Sequence, residues 1–158
     1  MQELQNKVIK WAEDKGIFAK SDPTSQFLKT ISEVGELADA VNKNDLPEIK
    51  DAIGDTYVTM IIFSRMMVAR KIFGEINPPM DEGTVKEDIL WLSCVIGTCA
   101  NAIYQKTVEI RDLNGIDNAL ARIAIKYGWT AKECVQSAYD VISKRTGKME
   151  NGVFIKDA

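Results

Sequence analysis

Helix-start signatures recur along this chain, and no convincing pair of strands accompanies them. Asp22-Pro23, Asp45-Leu46-Pro47-Glu48, Thr84-Val85-Lys86-Glu87 and Thr130 to Glu133 each set a capping oxygen before apolar residues at helical spacing. Such an oxygen takes up a backbone N–H that the first turn leaves without a partner, and a Glu three residues on returns the bond. Proline suits the first helical position, where no N–H is needed. The spacing predicts helices over about 2–15, 23–43, 46–73, 84–111, 116–127 and 131–144. Gly16 stops the first, residues 74–83 with Pro78 and Pro79 form a loop, and Asn114-Gly115 reads as a turn. In the second helix Phe27, Ile31, Val34, Ala38 and Val41 form the apolar stripe, with Leu28 and Leu37 at its margins. The tail, 146–158, contains Gly and alternates, so it is expected to be an irregular loop or extended. The expected fold is all-α: a four-helix-bundle type with short additional helices, as one domain over 1–158.

The composition excludes much chemistry. The chain has 158 residues and no His, which removes Ser-His and Cys-His pairs, His-liganded zinc and His proton shuttles. The balance of 23 Asp+Glu against 20 Lys+Arg gives a net charge of -3, which argues against a dedicated nucleic-acid binder. Cys94, Cys99 and Cys134 form no C-x-x-C pair and read as reduced core thiols of a cytoplasmic protein. The N-terminus is polar and periodic, unlike a secretory signal. Residues 89–105 are uncharged but carry Ser93, Gly97, Thr98, Asn101 and Gln105. That run suits a buried helix better than a membrane span.

The acids are the informative feature. Glu33 and Glu36 are three apart, so they neighbour each other on one helix. Glu48, Asp51 and Asp55 fall within about a 60° arc of the next helix. That arc continues into Val58 and Ile62, so it turns inward. Asp55 is the one charge between Asp51 and Arg65, in a run where a lone carboxylate needs compensation. Close carboxylates on oxygen alone suit Mg²⁺ or Mn²⁺, or strong pairing with Lys and Arg. On the structural alternative, Glu48 serves a cap and Asp55 is a buried acid satisfied by a hydroxyl or a Lys.

This segment resembles the MazG-like all-α nucleoside triphosphate pyrophosphohydrolases, which carry E-x-x-E on one helix and E-x-x-D on the next. Glu33-Val-Gly-Glu36 fits the first half, and Ile53-Gly54-Asp55 before an apolar helix fits the second. Ala52 stands where the family's Glu is expected. Either Asp51 supplies that carboxylate, or Glu48-Ile-Lys-Asp51 is the literal E-x-x-D with Asp55 as a further ligand. Asp51 with Asp55 is favoured, because i and i+4 share a face. The approach Lys10-Trp11-Ala12-Glu13 to Lys29 and the ending Arg145 to Lys156 resemble short, phage- or prophage-type members.

The resemblance implies Mg²⁺-dependent hydrolysis of a (d)NTP to (d)NMP and pyrophosphate, as in nucleotide-pool cleaning. It implies metal binding by Glu33, Glu36, Asp51 and Asp55, and a homodimer or homotetramer. Apolar circumference on the third and fourth long helices agrees with the last point. Lys29, one turn before Glu33, and Arg145 and Lys148, flanking Gly147, are candidates for phosphate contact. Trp11 is a candidate to stack on a base, with core packing the favoured reading, and Lys29 suits an i,i+4 surface ion pair equally well. A non-catalytic helical interaction or nucleotide-binding module is the alternative that Ala52 keeps open.

Overall fold

The computed structural model describes residues 1–67, 71–80 and 82–157. It is all-α apart from one hairpin. The order is α1 (Gln2–Asp14), α2 (Ile17–Lys20), α3 (Pro23–Lys43), α4 (Leu46–Met66), α5 (Val85–Gln105), α6 (Ile110–Lys126), α7 (Ala131–Ile142), β1 (Gly147–Glu150) and β2 (Val153–Lys156). The caps act where the sequence sets them. Asp22 accepts from Ser25 N and Asp45 from Glu48 N, while Thr84/Glu87 and Thr130/Glu133 form capping boxes.

α3 and α4 form an antiparallel hairpin that turns at Asn44, which is left-handed at φ 55°. Its register is read from three rungs. The Phe27 and Phe63 rings lie 5.2 Å apart. Thr30 Oγ1 bonds Thr59 Oγ1 at 3.0 Å. Glu33 then comes beside Asp55. α7 packs on the opposite side of α4, closest at Gly54, where a Cβ would stand 2.3 Å from the Cys134 carbonyl oxygen. α1 and α6 also pack on α4. There Tyr57 Oη donates to Asp117 Oδ1, which also accepts from Gly74 N. Lys71 Nζ pairs with Asp117 Oδ2 at 2.7 Å, so a buried carboxylate of α6 holds the chain just beyond α4. α5 packs chiefly on α6, tied by buried Asp88 to Arg122 and Lys126.

Several expectations are corrected. The third long helix ends at Met66, and residues 71–73 are irregular; the part of its expected span on 68–70 lies outside the described residues. The fourth ends at Gln105, where left-handed Lys106 lets Thr107 N reach Ala102 O. The next helix starts at Ile110, because Glu109 and Asp112 form a capping box, and it runs through Asn114-Gly115. Gly115 lies against Val95 of α5 within a helix and makes no turn. The tail is a hairpin, with Asn151 (φ 49°) and Gly152 (φ 80°) as its two-residue loop. The α3 stripe is rotated: Phe27, Thr30, Val34, Leu37 and Val41 are buried, while Ile31 and Leu28 are exposed.

α5 is not a fully buried helix. Leu92, Ile96 and Cys99 face inward, but Leu90 (67% exposed), Trp91 (50%) and Tyr104 (82%) face out. Cys94 is exposed as well, so the thiols are not all in the core. Among the described residues, no helix is long and apolar enough to cross a membrane.

Candidate active site

The two acid-bearing helices open onto a cavity of about 460 Å³. The rotated stripe of α3 explains why acids reach it. Glu33 sits on the buried face of α3 in step with Phe27 and Thr30, so its carboxylate turns toward α4. Asp55, one residue after the glycine that seats α7, lines the same cavity. Lys29 and Arg145 join them there, and so does Trp11. The hairpin adds Asn151, Val153 and Phe154. The Trp11 and Phe154 rings meet edge to face at 5.9 Å.

Charge is unevenly settled at the acidic end. Lys29 Nζ lies 2.7 Å from Glu33 Oε1. This is an i,i+4 pair in which Lys29 is exposed and Glu33 is almost wholly buried. Asp55 has no such salt bridge among the described residues. Burial chiefly, then the charges of Asp51 and Glu33, push its carboxyl up to about 7, against partial relief from Arg145 and Lys29. A carboxyl held in this way is poised to gain a cation, because a positive charge would remove both the desolvation cost and the repulsion. The donor set is all oxygen, which suits a hard divalent ion. Among the described residues, however, no three acidic or Cys side chains converge tightly enough to enclose a metal ion by themselves. Any cation here would need oxygens from water or substrate as well.

The other expected residues divide. Asp51 is half-buried and close enough to act on Asp55, but it does not line the cavity. Glu36 is exposed one turn beyond Glu33, and Glu48 is exposed at the start of α4. Ala52, at the expected Glu position, is buried. Lys148 lies outside the cavity, exposed and paired with Glu150 at 2.7 Å, because strand alternation turns it away. Trp11 is a half-buried wall of the cavity rather than part of the sealed core. Cys134 and Cys99 offer no nucleophile, since burial pushes both thiols up to about 12.

Sequence reasoning passed over Gln26, Thr59, Ile142 and Phe154, which also line the cavity. The Asn-Gly loop followed by alternating Val-Phe-Ile is the signal that announces Phe154. Gln26 and Thr59 carry no comparable signal, since polar residues at helical spacing ordinarily read as surface.

The match to the MazG nucleotide pyrophosphohydrolase domain covers residues 21–74, which hold both acid-bearing helices. An uncharacterised 18.2 kDa protein from the rep-hol intergenic region of Haemophilus phage HP1 (strain HP1c1) is 42% identical over 65 residues. That alignment covers 41% of this chain and 40% of the phage protein, so the chain spans well under half of its relative's length. No solved structure matches the chain. Residues 21–74 are therefore similar to the MazG nucleotide pyrophosphohydrolase domain, a likeness that spans both acid-bearing helices.

Proposed function

We propose that the cavity between α3, α4 and the hairpin hydrolyses a nucleoside triphosphate to its monophosphate and pyrophosphate. The observation that carries this reading is one cavity with Glu33, Asp55, Lys29 and Arg145 among its walls alongside Trp11 and Phe154. Carboxylates and cations together suit a phosphate chain, and aromatic faces suit a base. The family is typically divalent-metal dependent. Glu33 and Asp55 would hold Mg²⁺ (or Mn²⁺) together with oxygens from water or substrate, and Glu36 and Asp51 would have to turn toward the cavity to join them; the ion when bound neutralises phosphate oxygens and acidifies water. Lys29 would leave Glu33 for a phosphate, and Arg145 would meet the phosphate chain. Trp11 would stack on the base. In-line displacement at phosphorus asks for positioning and charge stabilisation, so a site without His is adequate.

The test is purified protein with a panel of NTPs and dNTPs, with and without Mg²⁺. Pyrophosphate released from at least one nucleotide, only with metal, is the expected result. Silence across the panel defeats the reading. Ala52 favours a second reading, a helical binding module without turnover. Calorimetry that finds no Mg²⁺-dependent nucleotide binding would remove the substrate role altogether. Cleaning of the nucleotide pool in the cytoplasm is the use we assign to such an activity.

We also propose that the chain self-associates through the exposed face of α5. Leu90, Trp91, Cys94 and Tyr104 leave apolar surface there that no part of the described chain covers. A homodimer or homotetramer is the expected mass by light scattering; a monomer at working concentration refutes it.

A further inference from the structure

We infer that Gln26 reads the nucleobase: its amide oxygen accepts a hydrogen bond from an exocyclic amino group, so that amino-bearing bases are preferred over their oxo counterparts. This rests on the nucleotide reading of the cavity and deepens it.

The placement comes from the hairpin register. Gln26 lies on α3 seven residues before Glu33, and Ile62 lies on α4 seven residues after Asp55. Seven residues of helix are about 10 Å. The cavity lined by all four therefore runs from the carboxylates at one end to Gln26 at the other, a span on the scale of a nucleotide from phosphate to base edge. Trp11, Leu28, Ile17 and Phe154 supply apolar walls.

The hydrogen-bond accounting singles out Gln26 among the buried uncharged polar side chains at the cavity. Thr30 donates to the Gln26 carbonyl or to Thr59 Oγ1, and Thr59 donates to Thr56 O, so these hydroxyls are engaged. Trp11 Nε1 has no partner among the described residues, but it is sealed from solvent. Gln26 is only 7% exposed. Its Nε2 donates to Ser21 Oγ at 2.9 Å, which leaves Oε1 as an acceptor. Among the described residues Oε1 has no partner, and it is not among the sealed atoms, so it keeps accessible surface on a residue that lines the cavity. A buried amide oxygen left dry beneath a ligand loses its hydration with no hydrogen bond to replace it. A base presenting N–H there removes that cost. A base presenting C=O there sets two acceptors against each other.

The discriminating pairs are AMP against IMP and CMP against UMP, in which the exocyclic amino group becomes oxo and the adjacent ring nitrogen changes from acceptor to N–H donor. Binding of these monophosphates by calorimetry reads the preference without turnover, so a protein that hydrolyses nothing still answers the question. The wild-type protein is expected to bind the amino member of at least one pair about tenfold more tightly or better. Gln26→Met, similar in length but without the acceptor, should bring that ratio within about threefold. Ser21→Ala frees the amide to rotate and should lower the ratio by a smaller factor. In the hydrolysis assay, if the enzyme turns over, the same loss should fall on KM more than on kcat. Equal binding of both members of both pairs by the wild type overturns the inference. So does an unchanged ratio in Gln26→Met. Failure of hydrolysis with the ratio intact counts against turnover and leaves the reading of the base standing.

Discussion

α4 and α5 have equal lengths of 21 residues, and both are largely apolar around their circumference. Their fates differ. α4 is surrounded by α3, α7, α1 and α6, and its apolar residues from Ile49 to Phe63 are all buried. α5 rests on α6 with a lighter contact to α3, and it shows Leu90, Trp91 and Tyr104 to the outside. Apolarity alone did not distinguish them. What does is the glycine in each. Gly54 of α4 meets the backbone of α7, whereas a Cβ at Gly97 of α5 would meet no other element within 4 Å among the described residues. The covered helix carries Asp55, the acid whose carboxyl burial pushes up to about 7.

The largest effects are expected in α4. Asp55→Asn should lower kcat roughly 10³-fold, because it removes the charge most poised to receive a cation. Circular dichroism should remain that of the wild type, and full activity in this variant would disprove the metal role. Gly54→Ala should destabilise by about 3 kcal/mol or more, since its methyl would meet the Cys134 carbonyl and the Ala138 methyl, and backbone cannot swing aside. Denaturant midpoints measure this. A shift under 1 kcal/mol would mean that α7 slides freely on α4, and the contrast with α5 would lose its basis.

A smaller effect separates the buried acid from the fold around it. Burial, Asp51 and Glu33 raise Asp55 from 3.8 to about 7. Between those two values the folded protein holds a proton that the unfolded chain has lost. Stability contributed by this group is therefore full below about pH 4, falls as pH rises toward 7, and stays lost above. Without metal, Asp55→Asn should flatten that decline and be the more stable protein at pH 8, by on the order of 1–3 kcal/mol. Adding Mg²⁺ should stabilise the wild type and leave the variant unmoved. Parallel pH profiles for the two proteins would place Asp55 in a solvated setting.

The sequence made the α3–α4 hairpin legible because its ends are written in local chemistry. Asp22-Pro23 and Asp45 with Pro47 fix the starts, and Asn44 accepts the left-handed turn between them. Asp55 was legible for the converse reason: a lone charge in an apolar run has no surface explanation. The stripe of α3 was misread because hydrophobic spacing assigns polar residues to water. Gln26, Thr30 and Glu33 are polar and buried, which displaced the expected face onto Ile31 and Leu28. Tertiary contact, not local pattern, decided Asn114-Gly115, whose glycine admits Val95 inside a continuous helix. Nothing in the run of α5 says how much of it another element will cover, since that depends on where α6 comes to lie.

The smallest effect is the sharpest test of that last difference. Gly97→Ala adds a methyl with no neighbour to meet and removes a residue that costs helix stability, so it should stabilise the protein by about 0.5–1 kcal/mol. The same substitution in α4 is expected to go the other way by a larger amount, so the pair of alanines compares the helices with chemistry held constant. Thermal unfolding should be followed beside light scattering. A gain in stability with unchanged mass leaves Gly97 clear of any contact between copies. A loss of stability together with a fall in mass would instead move the close approach from within the chain to between chains, with Gly97 serving there as Gly54 serves inside. That outcome would make the two helices alike, differing only in which chain covers them.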